Sequence, residues 1–273
     1  MSLNTAHVIL VTGANRGIGL AIVQAMAADK SLCNSAFLLG NRDVAKGEEA
    51  ISQLRSVGIS SPLHPLPLDV TSDTSIREAA SIVADRYGRL DILVNNAGYA
   101  AIPSAPDFSD YRQIYGGIYN VNVISVALTM QLFLPLLRKS VHGGKIINVS
   151  SARGSVSRSA SGQQPPTVSI AYSISKTALN ALTVEMSRQE ENQHVEFQLV
   201  SPGHCKTAFN GYRAHDIPSK AQTWSLSWRW RRKEGINMPD SGKPMVAAAT
   251  WQRYPGDICQ MPVAMSLYCR WWD

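Results

Sequence analysis

Six short apolar runs alternate with longer segments of helical spacing, and that order leaves the chain few ways to fold. His7 to Val11, Ser35 to Leu39, Leu63 to Leu68, Ile92 to Asn95, Lys145 to Val149 and Val195 to Val200 read as strands. Between them Ile18 to Ala28, Val44 to Val57, Ser75 to Tyr87, Tyr111 to Leu137 and Ala171 to Arg188 repeat apolar residues at helical spacing and read as helices. Parallel strands need a crossover, which a helix supplies, so strict β-α alternation predicts an α/β fold: one doubly wound parallel sheet with helices on both faces. A length of 273 residues with 45% hydrophobic content suits one such domain better than two.

The first strand runs into Thr12, Gly13, Ala14, Asn15, Arg16, Gly17, Ile18 and Gly19, and a helix follows at once. Glycines there let the backbone turn tightly and approach a pyrophosphate, whose charge the free N–H groups of a helix start favour. Gly13, Asn15, Arg16, Gly17, Ile18 and Gly19 are therefore candidate cofactor-binding residues. The bland reading of such a turn is a tight turn alone, and its place in the first βα unit favours the functional one. The second strand ends Leu39, Gly40, Asn41, Arg42, without the carboxylate that binds ribose hydroxyls in NAD-preferring sites. Arg42 and Arg16 could instead clamp a 2′-phosphate, which favours NADP(H); either could also be a solvated surface charge. Asp69, closing the third strand, is placed to accept from an adenine amino group or to cap the next turn.

Tyr172 and Lys176 stand one helical turn apart, so they share a face. An ammonium beside a phenol favours the phenolate and lowers a pKa that is ordinarily about 10. The ordered set Thr12 to Gly19, Asn95-Asn96-Ala97-Gly98, Asn122, Ser150-Ser151, Tyr172 to Lys176 and Pro202-Gly203 resembles the motifs of short-chain dehydrogenases/reductases across residues 6 to about 213. Within that family Gly17 to Val23 and Asn41 to Gly47 are most similar to NADPH-dependent carbonyl reductases.

The resemblance implies a Rossmann-type fold and a role for each matched residue. Ser151 would hydrogen-bond the carbonyl oxygen of a substrate and Tyr172 would protonate it. Lys176 would bind the nicotinamide ribose and hold the Tyr172 pKa down, while Asn122 would order a water that links Lys176 to solvent. Asn96, Ala97 and Gly98 would brace the central strand and pass close to the adenosine. Pro202, Gly203 and Thr207 would lie beside the nicotinamide. Between Ser151 and Tyr172 lie more residues than most of the family carries, and Arg153 to Ile170, rich in Ser, Gln and Pro, is read as a loop at the pocket mouth. A tolerated surface insertion is the alternative.

Charge and cysteine placement exclude other classes. Of the net charge of +6, a surplus of four comes from nine basic and five acidic residues beyond Asn210, so the body is near neutral and has no basic stripe for nucleic acid. Runs such as Val8 to Val11 are too short to cross a bilayer, and no targeting pattern opens the chain. Cys33, Cys205, Cys259 and Cys269 show no metal-ligand spacing, so no metal is expected and reduced thiols in the cytoplasm fit.

The tail is out of keeping with the body. All six tryptophans follow Thr223, and the stretch from Trp224 to Arg232 has neither helical nor strand patterning. Re-read one frame over with permitted synonymous codons, Ala214 to Met245 gives an Asn-Met-Val-Val-Glu-Leu-Ala-Leu helical pattern and a Gly-Phe-Trp end that resemble the family's usual C-terminus. The chain is thus divided into a domain at 1–213 and an atypical tail at 214–273, for which an out-of-frame reading is one of two alternatives. A frameshift near Arg213 would remove the last helix and strand and leave one side of the sheet exposed. A genuine Trp/Arg segment for a membrane surface or partner is the rival.

The reading is an NADP(H)-dependent reductase of a small-molecule ketone or aldehyde, with no nucleic-acid or membrane partner, acting as a monomer or homo-oligomer. Its alternatives are a catalytically impaired NADPH-binding protein or sensor, and an NAD-linked alcohol dehydrogenase.

Overall fold

The computed structural model describes residues 6–203 and 246–250. Its elements run β1 (Val8–Thr12), α1 (Gly17–Ala28), β2 (Ala36–Asn41), α2 (Val44–Ser56), β3 (Leu63–Pro67), α3 (Asp73–Tyr87), β4 (Ile92–Asn95), α4 (Tyr111–Tyr119) and α5 (Ser125–Leu137). They continue with β5 (Gly144–Val149), α6 (Val156–Ala160), α7 (Ile170–Ser187), β6 (Val195–Ser201) and β7 (Val246–Thr250). The strands pair in parallel in the order β3-β2-β1-β4-β5-β6-β7, so the doubly wound sheet is as expected. Strand order reverses between β1 and β4, which opens a crevice at their carboxyl ends.

Side chains on β1 alternate between two cores because a strand repeats every second residue. Val8 and Leu10 pack with residues of α3, α5 and α7, including Ile76, Phe133 and Leu179. Ile9 and Val11 pack with α1 and α2, through Val23, Met26 and Leu54. β3 carries Pro65 and Pro67, which a central strand could not hold; β3 is the outer strand beside β2, where a missing N–H can face solvent.

Three expectations need correcting. The single helix expected over Tyr111 to Leu137 is α4, a π-helical segment at Asn120–Ile124, and α5, in one continuous run. By length and composition this run is the one helix among the described residues that could cross a membrane. Here its Met130, Phe133, Leu134 and Leu137 lie in the core against the sheet. Second, the loop expected over Arg153 to Ile170 contains α6, whose first turn is capped by Ser155 Oγ accepting from Arg158 N at 3.4 Å. Third, the β6 edge is not left bare: β7 pairs with it from Phe197 opposite Val246 to Ser201 opposite Thr250. An unpaired strand edge is a template for another extended run, and Val246–Thr250 fills it despite its three alanines. The tryptophan-rich stretch lies outside the described residues.

Candidate active site

The turn after β1 is shaped by what cannot fit there. Gly13 and Gly17 hold φ of +64° and +57°, a left-handed conformation that side chains resist. A Cβ on Gly19 would stand 2.3 Å from the Gly13 carbonyl oxygen and 2.5 Å from Asn96 Nδ2, so the turn is folded flat against the next segment. Thr12 Oγ1 accepts the N–H groups of Asn96 and Ala97, both at 3.0 Å, and Asn96 Nδ2 donates to the Thr12 and Gly13 carbonyls at 2.9 and 3.2 Å. Asn96 and Ala97, with Gly98 following, therefore brace β4 against β1 across the crevice.

The start of α1 is electrostatically open. α2 and α3 are capped by Asp43 and Ser72, whereas α1 is preceded by Arg16, with no side-chain cap and no acidic residue in its first turn. Uncapped N–H groups behind a glycine cradle suit a phosphate. Arg16 and Arg42 are both exposed beside this turn. Asn41 is buried: its Nδ2 donates to Leu39 O at 2.8 Å, and a Cβ on Gly47 would come within 2.6 Å of it. Arg42 is consequently the polar residue that stands free at the tip of β2. Asp69 takes the capping arrangement, Oδ1 accepting from Thr71 N at 2.9 Å and Thr71 Oγ1 at 2.7 Å. Asn15 and Ile18 lie half-buried in the turn, Pro202 and Gly203 follow β6, and Thr207 lies outside the described residues.

Further along the carboxyl edge, α7 carries Tyr172 in its first turn and Lys176 one turn on. Lys176 Nζ lies 5.7 Å from the Tyr172 ring centroid and donates to the Val149 carbonyl at 2.8 Å, two residues before Ser151. It is 5% exposed, and burial pushes its pKa down from 10.5 to about 8. Ser151 follows β5, its Oγ accepting from Arg153 N at 3.2 Å to start the 3₁₀ turn Ala152–Gly154. Asn122 sits fully buried in the π-helical segment. Its Oδ1 accepts from Tyr99 N at 2.8 Å, and its Nδ2 donates to Tyr99 O at 2.9 Å and Ser175 Oγ at 3.0 Å. Ser175 Oγ donates in turn to the Tyr172 carbonyl at 2.7 Å. Asn122, Ser151, Tyr172 and Lys176 are thus gathered at one end of the sheet by short bonds through their neighbours. Both Nδ2 hydrogens of Asn122 are used in these bonds, while Oδ1 accepts one.

The crevice therefore brings uncapped helix amides to the same edge of the sheet as a buried lysine, a tyrosine and a serine. The family model for short chain dehydrogenases matches residues 7–218. The chain belongs to that family. A short-chain dehydrogenase/reductase of Aspergillus fumigatus is 36% identical over 250 residues, covering 86% of this chain and 92% of its own. The NADPH-bound carbonyl reductase from chicken fatty liver superposes with a TM-score of 0.61 at 31% identity, covering 73% of this chain and 80% of that one. An alcohol dehydrogenase from the archaeon Thermococcus sibiricus, complexed with 5-hydroxy-NADP, gives 0.62 at 28% identity, covering 78% and 82%. This short-chain dehydrogenase is accordingly an oxidoreductase by family.

Several residues that build the dehydrogenase site escaped the sequence reading. Tyr99 seats Asn122, and Asn180 joins α7 to the turn that carries Ser151; Thr12, read only as the start of the glycine motif, ties the two sides of the crevice. Asn180 left a signal as well, since it continues the four-residue spacing of Tyr172 and Lys176, whereas Tyr99 left none.

Proposed function

We propose that this dehydrogenase reduces a small ketone or aldehyde to the alcohol with NADP(H), and that Tyr172 is the general acid. The observation that carries the reading is Lys176: a buried ammonium against the Tyr172 ring, on the helix that faces the Ser151 turn. The bound cofactor supplies the hydride that adds to the carbonyl carbon. As negative charge develops on the oxygen, Ser151 donates a hydrogen bond to it and Tyr172 transfers its phenolic proton. The Lys176 ammonium beside the ring favours the phenolate that remains. Asn122 would hold a water that links Lys176 to solvent through a carbonyl oxygen, and the π-helical segment displaces main-chain carbonyls there from the regular ladder.

The residues fit NADP(H) on three counts. The Gly13 to Gly19 turn keeps its tight shape only with no Cβ at Gly19, the α1 amides are uncapped, and Arg42 stands where a carboxylate would select NAD. Arg16 and Arg42 would bind the 2′-phosphate, and Asp69 would face the adenine. Ala97 and Gly98 would border the adenosine, and Pro202, Gly203 and Thr207 the nicotinamide. An exposed thiol at Cys33 suits the cytoplasm. Solved relatives that bind NADP or NADPH support the same choice.

The test is oxidation of NADPH and of NADH by the purified chain over a panel of ketones, aldehydes and quinones. Turnover with NADPH that vanishes in Tyr172→Phe while NADPH binding persists is the expected result. Equal use of NADH, or a Tyr172→Phe variant that keeps most of its rate, would overturn the reading.

A further inference from the structure

Asn180 lies one turn beyond Lys176, as Lys176 lies one turn beyond Tyr172, so the three occupy one face of α7. Its amide grips the serine-bearing turn on both sides. Oδ1 accepts from Ser150 Oγ at 2.6 Å, and Nδ2 donates to the Gly154 carbonyl at 3.1 Å. Thr177 Oγ1 donates to that same carbonyl at 3.2 Å. The contact is close: a Cβ on Gly154 would stand 2.8 Å from the Lys176 carbonyl carbon and 2.9 Å from Asn180 Nδ2. Ser151 lies inside this clamp, between Ser150 and Gly154.

Two donors must converge on one substrate oxygen, yet Ser151 follows a strand and Tyr172 opens a helix. The β5 ladder with β6 extends to Val149 opposite Val200, and Ser150 N adds one more bond, to Val200 O at 2.7 Å. Past that point the serine turn is held to α7 by side chains. An amide serves here because it accepts and donates at once; a carboxylate could not donate to Gly154, and leucine could do neither.

Resting on the reductase reading above, we propose that Asn180 is a positioning residue that fixes Ser151 relative to Tyr172 and so sets the two-point grip on the substrate oxygen. Asn180→Leu keeps a branched side chain of the same heavy-atom count and removes both bonds. It lowers kcat by about 100-fold, the scale of a misplacement of about 1 Å, and leaves NADPH binding unchanged. Because Asn180 acts through Ser151, its loss adds little in a Ser151→Ala background. A structural role alone gives losses that multiply, and multiplied losses overturn the proposal.

A second readout needs no turnover. Gly154 N and Ser155 N donate to Ser151 O and Ala152 O at 2.9 and 3.1 Å, so their amide exchange reports whether the turn is held. Asn180→Leu speeds exchange of these two amides in the cofactor-free chain and leaves the interior of α7 protected. If the parent chain turns over nothing, the reductase reading fails by itself and exchange still decides the clamp: unchanged rates refute it. Should Asn180→Leu fail to fold, Thr177→Val, which removes one of the bonds to Gly154, is expected to give the same pattern in smaller measure, and its absence is equally decisive.

Discussion

Replacing Lys176 by Met should make the cofactor-free protein more stable at neutral pH while abolishing turnover. Nζ is buried with the Val149 carbonyl as its hydrogen-bond acceptor, and its pKa falls from 10.5 to about 8. At about 1.4 kcal/mol for each tenfold change in proton affinity, holding the charged form inside costs roughly 3 kcal/mol. Methionine fills the same channel without charge but leaves the Val149 carbonyl short of a donor, which gives back about 1–2 kcal/mol. The net gain of about 1–2 kcal/mol corresponds to a rise in Tm of about 4 °C. The sign follows from proton binding. Below about 8 both folded and unfolded Lys176 are protonated, and the full penalty applies. Between about 8 and 10.5 the unfolded chain holds a proton that the folded one has released, so the stability of the parent rises with pH there. Thermal melts of parent and variant across that range should start apart and converge. A variant less stable than its parent at neutral pH, with parallel curves to pH 10.5, would show that Lys176 is not desolvated.

Arg42→Asp should raise the preference for NADH over NADPH by at least about tenfold in kcat/KM, the value of one lost charge-assisted bond, and an unchanged ratio removes Arg42 from the cofactor site. Gly19→Ala forces the turn away from Gly13 and should weaken NADPH binding at least about tenfold, as measured by fluorescence titration, with overpacking costing about 1–3 kcal/mol in a melt. His7 stacks on His142 with centroids 4.0 Å apart, and burial first, then His142, then Arg89 and Lys145 against the opposing Asp91, hold its pKa below 6.5. The unfolded chain then takes up the proton first, so stability should fall as pH drops below 6.5; His7→Phe keeps a stacked ring and should flatten that part of the curve, which a pH series of melts will show.

What could be read from the sequence was whatever a single element carries. β4 begins and ends at Ile92 and Asn95 as expected, because a buried parallel strand is a continuous apolar run. Tyr172 and Lys176 were legible because their spacing within one helix places them together. The π-helical segment was not, since apolar residues continue through Asn120–Ile124 and one extra residue in a turn leaves no mark in the pattern. α6, at five residues, is too short to show a period, and its Ser155 cap was hidden among other serines. The Asn180 clamp joins positions 150, 154 and 180 from separate elements, and nothing in a local window announces such a contact.

The choice of amides over carboxylates for these links is tied to the chemistry of Lys176. At the carboxyl edge the ladders end and the next helices have yet to begin, so side chains must join neighbouring elements. Asn96 links β4 to the turn after β1, Asn122 links the π-helical segment to Tyr99 and α7, and Asn180 links α7 to the serine turn. Behind them Asn95 Nδ2 donates to Asn148 Oδ1, and Asn148 Nδ2 to Thr183 Oγ1, both at 2.8 Å. Each amide gives directional bonds without adding charge. Among the described residues the buried charged side chains are Asp91, Lys145 and Lys176. Asp91 and Lys145 sit at the opposite edge, paired with Arg89 at 3.2 Å and Glu196 at 2.7 Å. An opposite charge beside Lys176 would raise its pKa and tie the ammonium into a pair. With a carbonyl as its acceptor instead, the ammonium keeps its field directed at the Tyr172 ring, and the stability this costs stays at the place where a phenolate must form.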